Sequence, residues 1–498
     1  MFDSIIAASI YLGSFENILY LCLGVTVGLV FGTIPGLGGA TAIALLLPLT
    51  FGMEAEQAMI LMGGIMGAVA IGGSVSAILL NTPGTAPNAA TCFDGYPLTQ
   101  QGKAGIAIGA AATASAVGGV IGLGILVMVI PVAKSIVLLF GPPAFFMMAI
   151  LGLTSLVAAS DNLLRGLIAA CVGLFVAFIG YDEIGGEVRY TAGIDYLWDG
   201  LSLVPVLIGL FAIAEMAKLF VKGGTIAQTS AEGDQTRITG TLDGVKAVFK
   251  NPKTLLAGST IGSLVGMVPG VGGTVASFMS YSFTAQFSKN NENFGKGDIR
   301  GVIAPEASNN AKDGGSLIPT LAFGIPGSAE MALFLGVLVL HGMTPGPMLL
   351  IEREYSIFVL ILALLLSTIF GAIVMLSASR YLVKITYIDS SILIPTVISI
   401  AMVGAYALHG SIGDVFAAGF FGLLGYLMIR FDYPRITFVI ALVLGSLMER
   451  SFTQSLLMFQ GDWTRFMTEG TSRILFILTV IALLVPILHK VRKYWRAS

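Results

Sequence analysis

The sequence predicts an all-α polytopic membrane protein of about 11–12 spans, built as two inverted repeats whose helices are broken into re-entrant hairpins. Three observations carry that expectation. The 498 residues are 56% hydrophobic and only 11% charged, against roughly 25% charged in soluble domains. Apolar runs recur from Phe15 to Leu488. The phrase Gly32-Thr-Ile-Pro35-Gly36-Leu-Gly38-Gly39 also returns 234 residues on (266 against 32) as Gly266-Met-Val-Pro269-Gly270-Val-Gly272-Gly273.

Each copy lies where a helix would otherwise run on through apolar sequence. Proline lacks the amide hydrogen and clashes with the preceding turn, and glycine admits positive φ, so both copies break the helix. A second phrase recurs as well. Gly72-Gly73-Ser74 followed by Asn81-Thr82-Pro83-Gly84-Thr85-Ala86 matches Gly314-Gly315-Ser316 followed by Gly324-Ile325-Pro326-Gly327-Ser328-Ala329, with one residue gapped between the two parts. Two breaks in each half are expected. Paired broken segments in corresponding halves are the sequence pointer to a transport site at the bilayer midplane.

Charge sets the expected orientation. No Lys or Arg precedes Lys103, and Tyr181–Asp199 holds Asp182, Glu183, Glu187, Asp195 and Asp199 against Arg189 alone. One span later come Lys218, Lys222, Arg237, Lys246, Lys250 and Lys253, and the tail adds Lys490, Arg492, Lys493 and Arg496. By the positive-inside rule, the 218–253 stretch and the C-terminus are cytoplasmic, and the N-terminus and Tyr181–Asp199 are outside. The expected units are a first transmembrane repeat over 1–222, a cytoplasmic linker over 223–253, and a second transmembrane repeat over 254–498. The first twenty residues lack a basic n-region and read as mature sequence lying at the membrane interface.

A helix that starts just after Pro-Gly offers unpaired amides and a positive dipole end, which suit a carboxylate. One that ends before it offers carbonyls, which suit Na⁺. The expected substrate site is therefore Gly36, Gly38, Gly39 and Thr41 with Asn81, Thr82, Pro83, Gly84 and Thr85 in the first half. The second half adds Gly270, Gly272, Gly273, Thr274, Asn309, Asn310, Ser316, Pro326, Gly327 and Ser328. No Lys or Arg lies inside the Pro-Gly phrases, so dipoles, amides and hydroxyls would hold the anion. Glu306 and Asp313 are coupling-ion candidates if buried, because a carboxylate at membrane depth costs about 2.5–3.5 kcal/mol on insertion scales. The alternative is a solvated loop over Ala304–Asp313, continuing the polar Lys289–Arg300. Gly63, Gly64, Gly67, Gly72 and Gly73 read as helix-packing residues.

Other chemistry is thin. Cys22, Cys92 and Cys171 lack metal-ligand spacing, and their odd number argues against a disulfide framework. His341, His409 and His489 stand apart from one another and from paired carboxylates. Gly36-Leu-Gly38 is not a nucleotide fingerprint, and neither a nucleophile elbow nor a zinc helix motif is present. A net charge of −2 gives no basis for nucleic-acid binding.

At these residues the chain resembles the large membrane subunit of the tripartite tricarboxylate transporters. The resemblance runs through the first Pro-Gly phrase, Ala77–Gly109, Ala304–Gly336, and the stretch LLGYLMIRFDYPRITFVIALVLGSLMERSFTQSL. It implies a bacterial inner-membrane permease that works with a small membrane subunit and a periplasmic solute-binding protein. It also implies import of citrate-like and other organic carboxylates, coupled to a Na⁺ or H⁺ gradient, with no other cofactor. By analogy the two hairpins slide as an elevator against a scaffold. Two alternatives stay open on the residues alone: an intramembrane enzyme using Glu306, Asp313 and Asp94, and a passive anion channel.

Overall fold

The computed structural model describes residues 1–160, 162–182, 185–222, 238–289, 291–386 and 390–497, and these are overwhelmingly helical. The first half runs through α1 (Phe2–Leu12), α2 (Phe15–Thr33), α3 (Gly38–Leu46), α4 (Ala55–Leu80), α5 (Ala89–Gln100), α6 (Ala104–Val137), α7 (Pro142–Ala159) and α8 (Leu163–Ala177). It closes with α9 (Leu203–Leu207), which passes through a π-helical turn, Ile208–Ile213, into α10 (Ala214–Lys222). Then follow α11 (Thr241–Lys250), α12 (Pro252–Gly266), α13 (Gly272–Phe287), α14 (Arg300–Phe323), α15 (Ala329–Leu340), α16 (Pro347–Glu352) and α17 (Glu354–Ile385). The chain ends with α18 (Ser390–His409), α19 (Ile412–Arg430), α20 (Arg435–Met458), α21 (Arg465–Thr468) and α22 (Gly470–Ala497). Strand is confined, among the described residues, to the antiparallel pair β1 (Gly180–Tyr181) and β2 (Val188–Arg189).

Among the described residues nine helices are long and apolar enough to cross a membrane, fewer than the expected count of about 11–12. The breaks account for part of the difference, and the short apolar helix Leu163–Ala177 for another part. The breaks cut apolar sequence into pieces such as α3, of 9 residues, and α15, of 12. The longer α14 carries Arg300, Glu306, Lys312 and Asp313 along its length. Of the expected linker, residues 223–237, Arg237 among them, lie outside the described residues, as does Glu183. The remainder holds α11, which lies on α6.

All four breaks are present. α2 stops at Thr33 and α3 starts at Gly38, with φ of 89° at Gly36 and 64° at Gly38. α12 stops at Gly266 and α13 starts at Gly272, with φ of 77° at Gly270 and 72° at Gly272. These left-handed values are why glycine stands there. α4 ends on Asn81 at φ 53° and α14 on Gly324 at φ 68°.

Glycine also sets how closely the broken helices pack. α2 meets α4 through Gly24, Gly28 and Gly32, and a Cβ at Gly28 would stand 2.6 Å from the Ile65 carbonyl oxygen. α12 meets α14 through Gly258, Gly262 and Gly266, and a Cβ at Gly258 would stand 2.6 Å from the Ala304 carbonyl oxygen. Lipid gives no hydrophobic drive between helices, so backbone approach through small residues does the packing. Across the halves, α6 lies along α14 and α17 along α4, while α8 lies on α20 and α19 on the α9–α10 segment.

The packing corrects the pairing of the second phrase. A Cβ at Gly84 would meet Gly32, Gly73 and Ser76, and one at Gly327 would meet Gly266 and Ser316. Gly72 abuts Leu29, and Gly315 abuts Ser263. Gly84 to Gly327, Gly73 to Ser316 and Gly72 to Gly315 are all steps of 243 residues, so Gly72 pairs with Gly315 and no gap is needed.

Candidate functional site

α14 organises the site. Its first turns carry Ala304–Asp313 in continuous, buried helix, so the solvated-loop alternative does not hold. A carboxylate in such surroundings must be compensated, and Glu306 is. Its Oε2 accepts from the Ser74 hydroxyl at 2.6 Å and the Ser115 hydroxyl at 3.0 Å. Its Oε1 accepts from the Thr91 hydroxyl at 2.5 Å and the Asn88 amide at 3.1 Å. These donors come from α4, α6, α5 and the 3₁₀ turn Ala86–Asn88, all in the first half. Asn88 is fixed in turn, since its amide also donates to the Ala70 carbonyl at 3.1 Å and its Oδ1 accepts from Thr85.

Two turns along α14, the Lys312 ammonium is buried with two carboxylates. Asp313 Oδ1 lies at 2.6 Å and Glu330 Oε2, in the first turn of α15, at 3.5 Å. The Lys312 stem covers Gly273 at the start of α13, where an added Cβ would collide with its Cδ and Cε and stand 3.0 Å from Pro87. Glu330 covers Gly39 at the start of α3, where a Cβ would stand 2.8 Å from Oε1 and 3.1 Å from Val69. Neither Leu37 nor Val271, at the N-cap positions of α3 and α13, supplies a side-chain cap. The amides of those two first turns have no partner within their own helices, and the Lys312–Glu330 pair runs between them.

The structure thus brings together Gly38, Gly39, Thr85 and Gly273, the Thr85 methyl lying 3.9 Å from a Cβ at Gly38. Gly272 faces open space, and Gly36 and Thr274 are at least partly open. Gly270 is covered by Leu156 of α7. Other candidates serve the breaks themselves. The Thr82 hydroxyl donates to the Leu80 carbonyl, Gly84 N–H donates to the Gly73 carbonyl at 3.3 Å and its carbonyl accepts from Gly36, and Ser328 caps α15 by accepting from Met331 N–H at 3.3 Å. Thr41, Pro326 and Gly327 are buried, Pro83 is half-buried, Ser316 packs against Gly327, and Asn81 is exposed. Asn310 donates to the Gly67 carbonyl at 3.1 Å. The Asn309 side chain is buried with neither polar atom hydrogen-bonded, and Ser308 Oγ and the Asn310 Oδ1 are likewise unpartnered.

Lys312 and Glu330 are the residues that sequence reasoning passed over. No cation lies inside the Pro-Gly phrases, whereas Lys312 stands in the middle of α14 and its side chain reaches across to the α12–α13 break at Gly273. The signal that could have found it is the ladder Gly24, Gly28, Gly32 repeated at Gly258, Gly262, Gly266, again 234 residues on. Those glycines fix which residues of α14 face the break. His409 also needs correction: its Nδ1 lies 2.7 Å from Asp414 Oδ2, and Asp414 accepts from the Tyr196 hydroxyl as well. Asp94 accepts from the Tyr281 hydroxyl and the amides of Gly297 and Asp298, each at 2.8 Å, which makes it a staple between α5 and the loop before α14. Among the described residues no cluster of three or more His, Cys, Asp or Glu is placed to hold a metal ion.

A profile described as the tripartite tricarboxylate transporter TctA family matches residues 18–440. An uncharacterized 52.8 kDa protein in the TAR-I ttuC' 3' region of Agrobacterium vitis is 32% identical over 486 residues, 96% of this chain and 94% of the relative. A second Agrobacterium vitis protein, from the TAR-II ttuC' 3' region, is 34% identical over 231 residues, 46% of this chain and 96% of the relative. No solved structure matches the chain.

Proposed function

The chain belongs to the tripartite tricarboxylate transporter TctA family, and from that premise we propose that it is the large permease subunit of an ion-gradient-driven importer of organic carboxylates. It is a multi-pass membrane protein of a transporter family. The observation that carries the substrate class is the buried Lys312 ammonium held between the uncapped starts of α3 and α13. A fixed cation beside two helix N-termini suits an anion with spread carboxylates, because each carboxylate meets either amides or ammonium.

In this reading the tricarboxylate or related anion arrives from a periplasmic binding protein and crosses the inner membrane with help from a small membrane subunit. The coupling ion is Na⁺ or H⁺. Asp313 and the unpartnered oxygen of Asn309, one turn apart on α14, offer ligands for Na⁺, and Glu306 in its ring of four donors offers a carboxyl for a proton. The two halves are inverted repeats, a reading supported by the reciprocal packing of α6 on α14 and α17 on α4. The hairpins α2–α3 and α12–α13 then move together as an elevator. Inward- and outward-facing structures with both Pro-Gly phrases at one membrane depth would rule that out.

The test is uptake of a carboxylate panel into proteoliposomes, with and without the binding protein, under imposed Na⁺ or H⁺ gradients. Uptake that follows a gradient and stops in Lys312→Met is the expected result. Conduction without a gradient would turn the reading toward a passive channel. Single-cysteine labelling in a background lacking Cys22, Cys92 and Cys171 tests the orientation: Asp195 should label from outside and Lys246 from the cytoplasm. Labelling of both from one side would sink the inverted arrangement.

A further inference from the structure

The two carboxylates on Lys312 are not equivalent. Asp313 is the neighbouring residue, sits at 2.6 Å, and its side chain is 8% exposed. Glu330 reaches across from α15 to 3.5 Å, and its side chain is 21% exposed. Its other side-chain contact, to the Ser328 hydroxyl, is also long at 3.5 Å. Asp313 is therefore the fixed partner and Glu330 the loose one. Glu330 Oε1 nevertheless stands 2.8 Å from where a Cβ at Gly39 would be, beside the first turn of α3, whose free amides favour a carboxylate. A carboxylate of the protein thus stands beside the place best suited to a carboxylate of the substrate.

Resting on the carboxylate-importer reading, we propose that Glu330 is a resident stand-in for substrate, which an incoming anion displaces from Lys312 and Gly39. The stand-in makes the site selective for anions with two or more carboxylates. A tethered side chain competes at an effective concentration in the millimolar range or above, so a monocarboxylate that merely replaces it gains nothing. The start of α13 has no such occupant, because Gly273 meets the Lys312 stem and the Pro87 ring rather than a second acid. A substrate whose second carboxylate takes the α13 amides gains there what the exchange at Glu330 does not supply. Displacement is a swap of ion partners, with no bond made or broken.

The experiment is uptake of labelled citrate, with acetate and succinate as competitors, in proteoliposomes of wild type, Glu330→Gln, Glu330→Ala and Lys312→Met. Monodispersity of each variant in detergent is checked first. Removing the stand-in lowers the citrate KM about tenfold in Glu330→Gln, with a smaller maximal rate because release slows. Acetate, a weak competitor in wild type, becomes about ten times stronger, while succinate gains less. Glu330→Ala moves KM in the same direction, which serves if the Gln variant does not fold. An unchanged or raised KM with unchanged acetate competition overturns the proposal. The arms separate the two readings: citrate uptake that survives in Lys312→Met overturns the carboxylate site itself. Loss in Lys312→Met with no change in Glu330→Gln overturns only the stand-in.

Discussion

The start of α3 and the start of α13 are built alike and charged differently. Gly39 is faced by Val69 of its own half and Glu330 of the other, and Gly273 by Lys312 of its own half and Pro87 of the other. Val69 to Lys312 and Pro87 to Glu330 are both steps of 243 residues, so the same two positions serve both starts. In one half they carry an apolar pair and in the other an ion pair. The backbone arrangement is duplicated and the charge is not. Amide ends can be supplied twice at little cost, because each belongs to a helix that packs anyway. A buried ammonium is tolerated only beside compensating carboxylates, and here Asp313 and Glu330 provide them once.

The largest expected effect breaks that asymmetry. Lys312→Met should lower carboxylate uptake by at least about a hundredfold, the worth of a charge-assisted contact of about 3 kcal/mol. It also leaves Asp313 buried and unpaired, a cost of about 3–5 kcal/mol. The double variant Lys312→Met/Asp313→Asn should recover folded protein, read by size-exclusion and thermal melting, without recovering uptake. Recovery of both would reduce Lys312 to a structural ion.

Valine at either start should come next. Gly273→Val drives a branched side chain into the Lys312 stem and Pro87, and Gly39→Val drives one into Glu330 and Val69. Both should abolish uptake while the protein still inserts. The alanine versions sharpen the contrast: Gly273→Ala displaces the ammonium, whereas Gly39→Ala displaces only the loose carboxylate, so the first should raise KM and the second should not. Gly122 is a poor control because its Cβ would strike the Ala311 backbone of α14, and Gly371 is milder, meeting Ile71 at 3.1 Å. Gly124, with open space around it, is the better one, and Gly124→Ala should leave uptake unchanged.

Glu306→Ala asks whether the halves depend on their cross-tie. It leaves the Thr91 and Ser115 hydroxyls without their acceptor, while Ser74 and Asn88 keep the Ala70 carbonyl, and each buried group so orphaned costs about 1–3 kcal/mol. The thermal midpoint should fall clearly, and less in Glu306→Gln, whose amide keeps one acceptor oxygen. The smallest effects belong to the residues that hold the breaks. Ser328→Ala loses the α15 cap, worth about 0.5–2 kcal/mol, and Thr85→Ala loses its tie to Asn88, worth about 0.5–1.5 kcal/mol. Both should appear in melting more than in KM. A KM change larger than the melting change would make these hydroxyls direct ligands.

The sequence by itself determined the membrane class and the positions of all four breaks, while the partners of α2 and α12 came from the tertiary structure. The causes are local. A missing amide hydrogen at Pro35 or Pro269 and a positive φ at Gly36 or Gly270 act within a turn, and a glycine every fourth residue marks a packing face wherever the helix goes. The tertiary structure decided which charges meet. Glu306 takes its donors from residues 191 to 232 positions away, and Lys312 reaches Glu330 only because a helix break folds α15 back beside α14. Burial of a charge depends on partners that no local rule fixes. So Ala304–Asp313 could be read as loop or buried helix until Ser74, Thr91, Ser115 and Glu330 were in place around it.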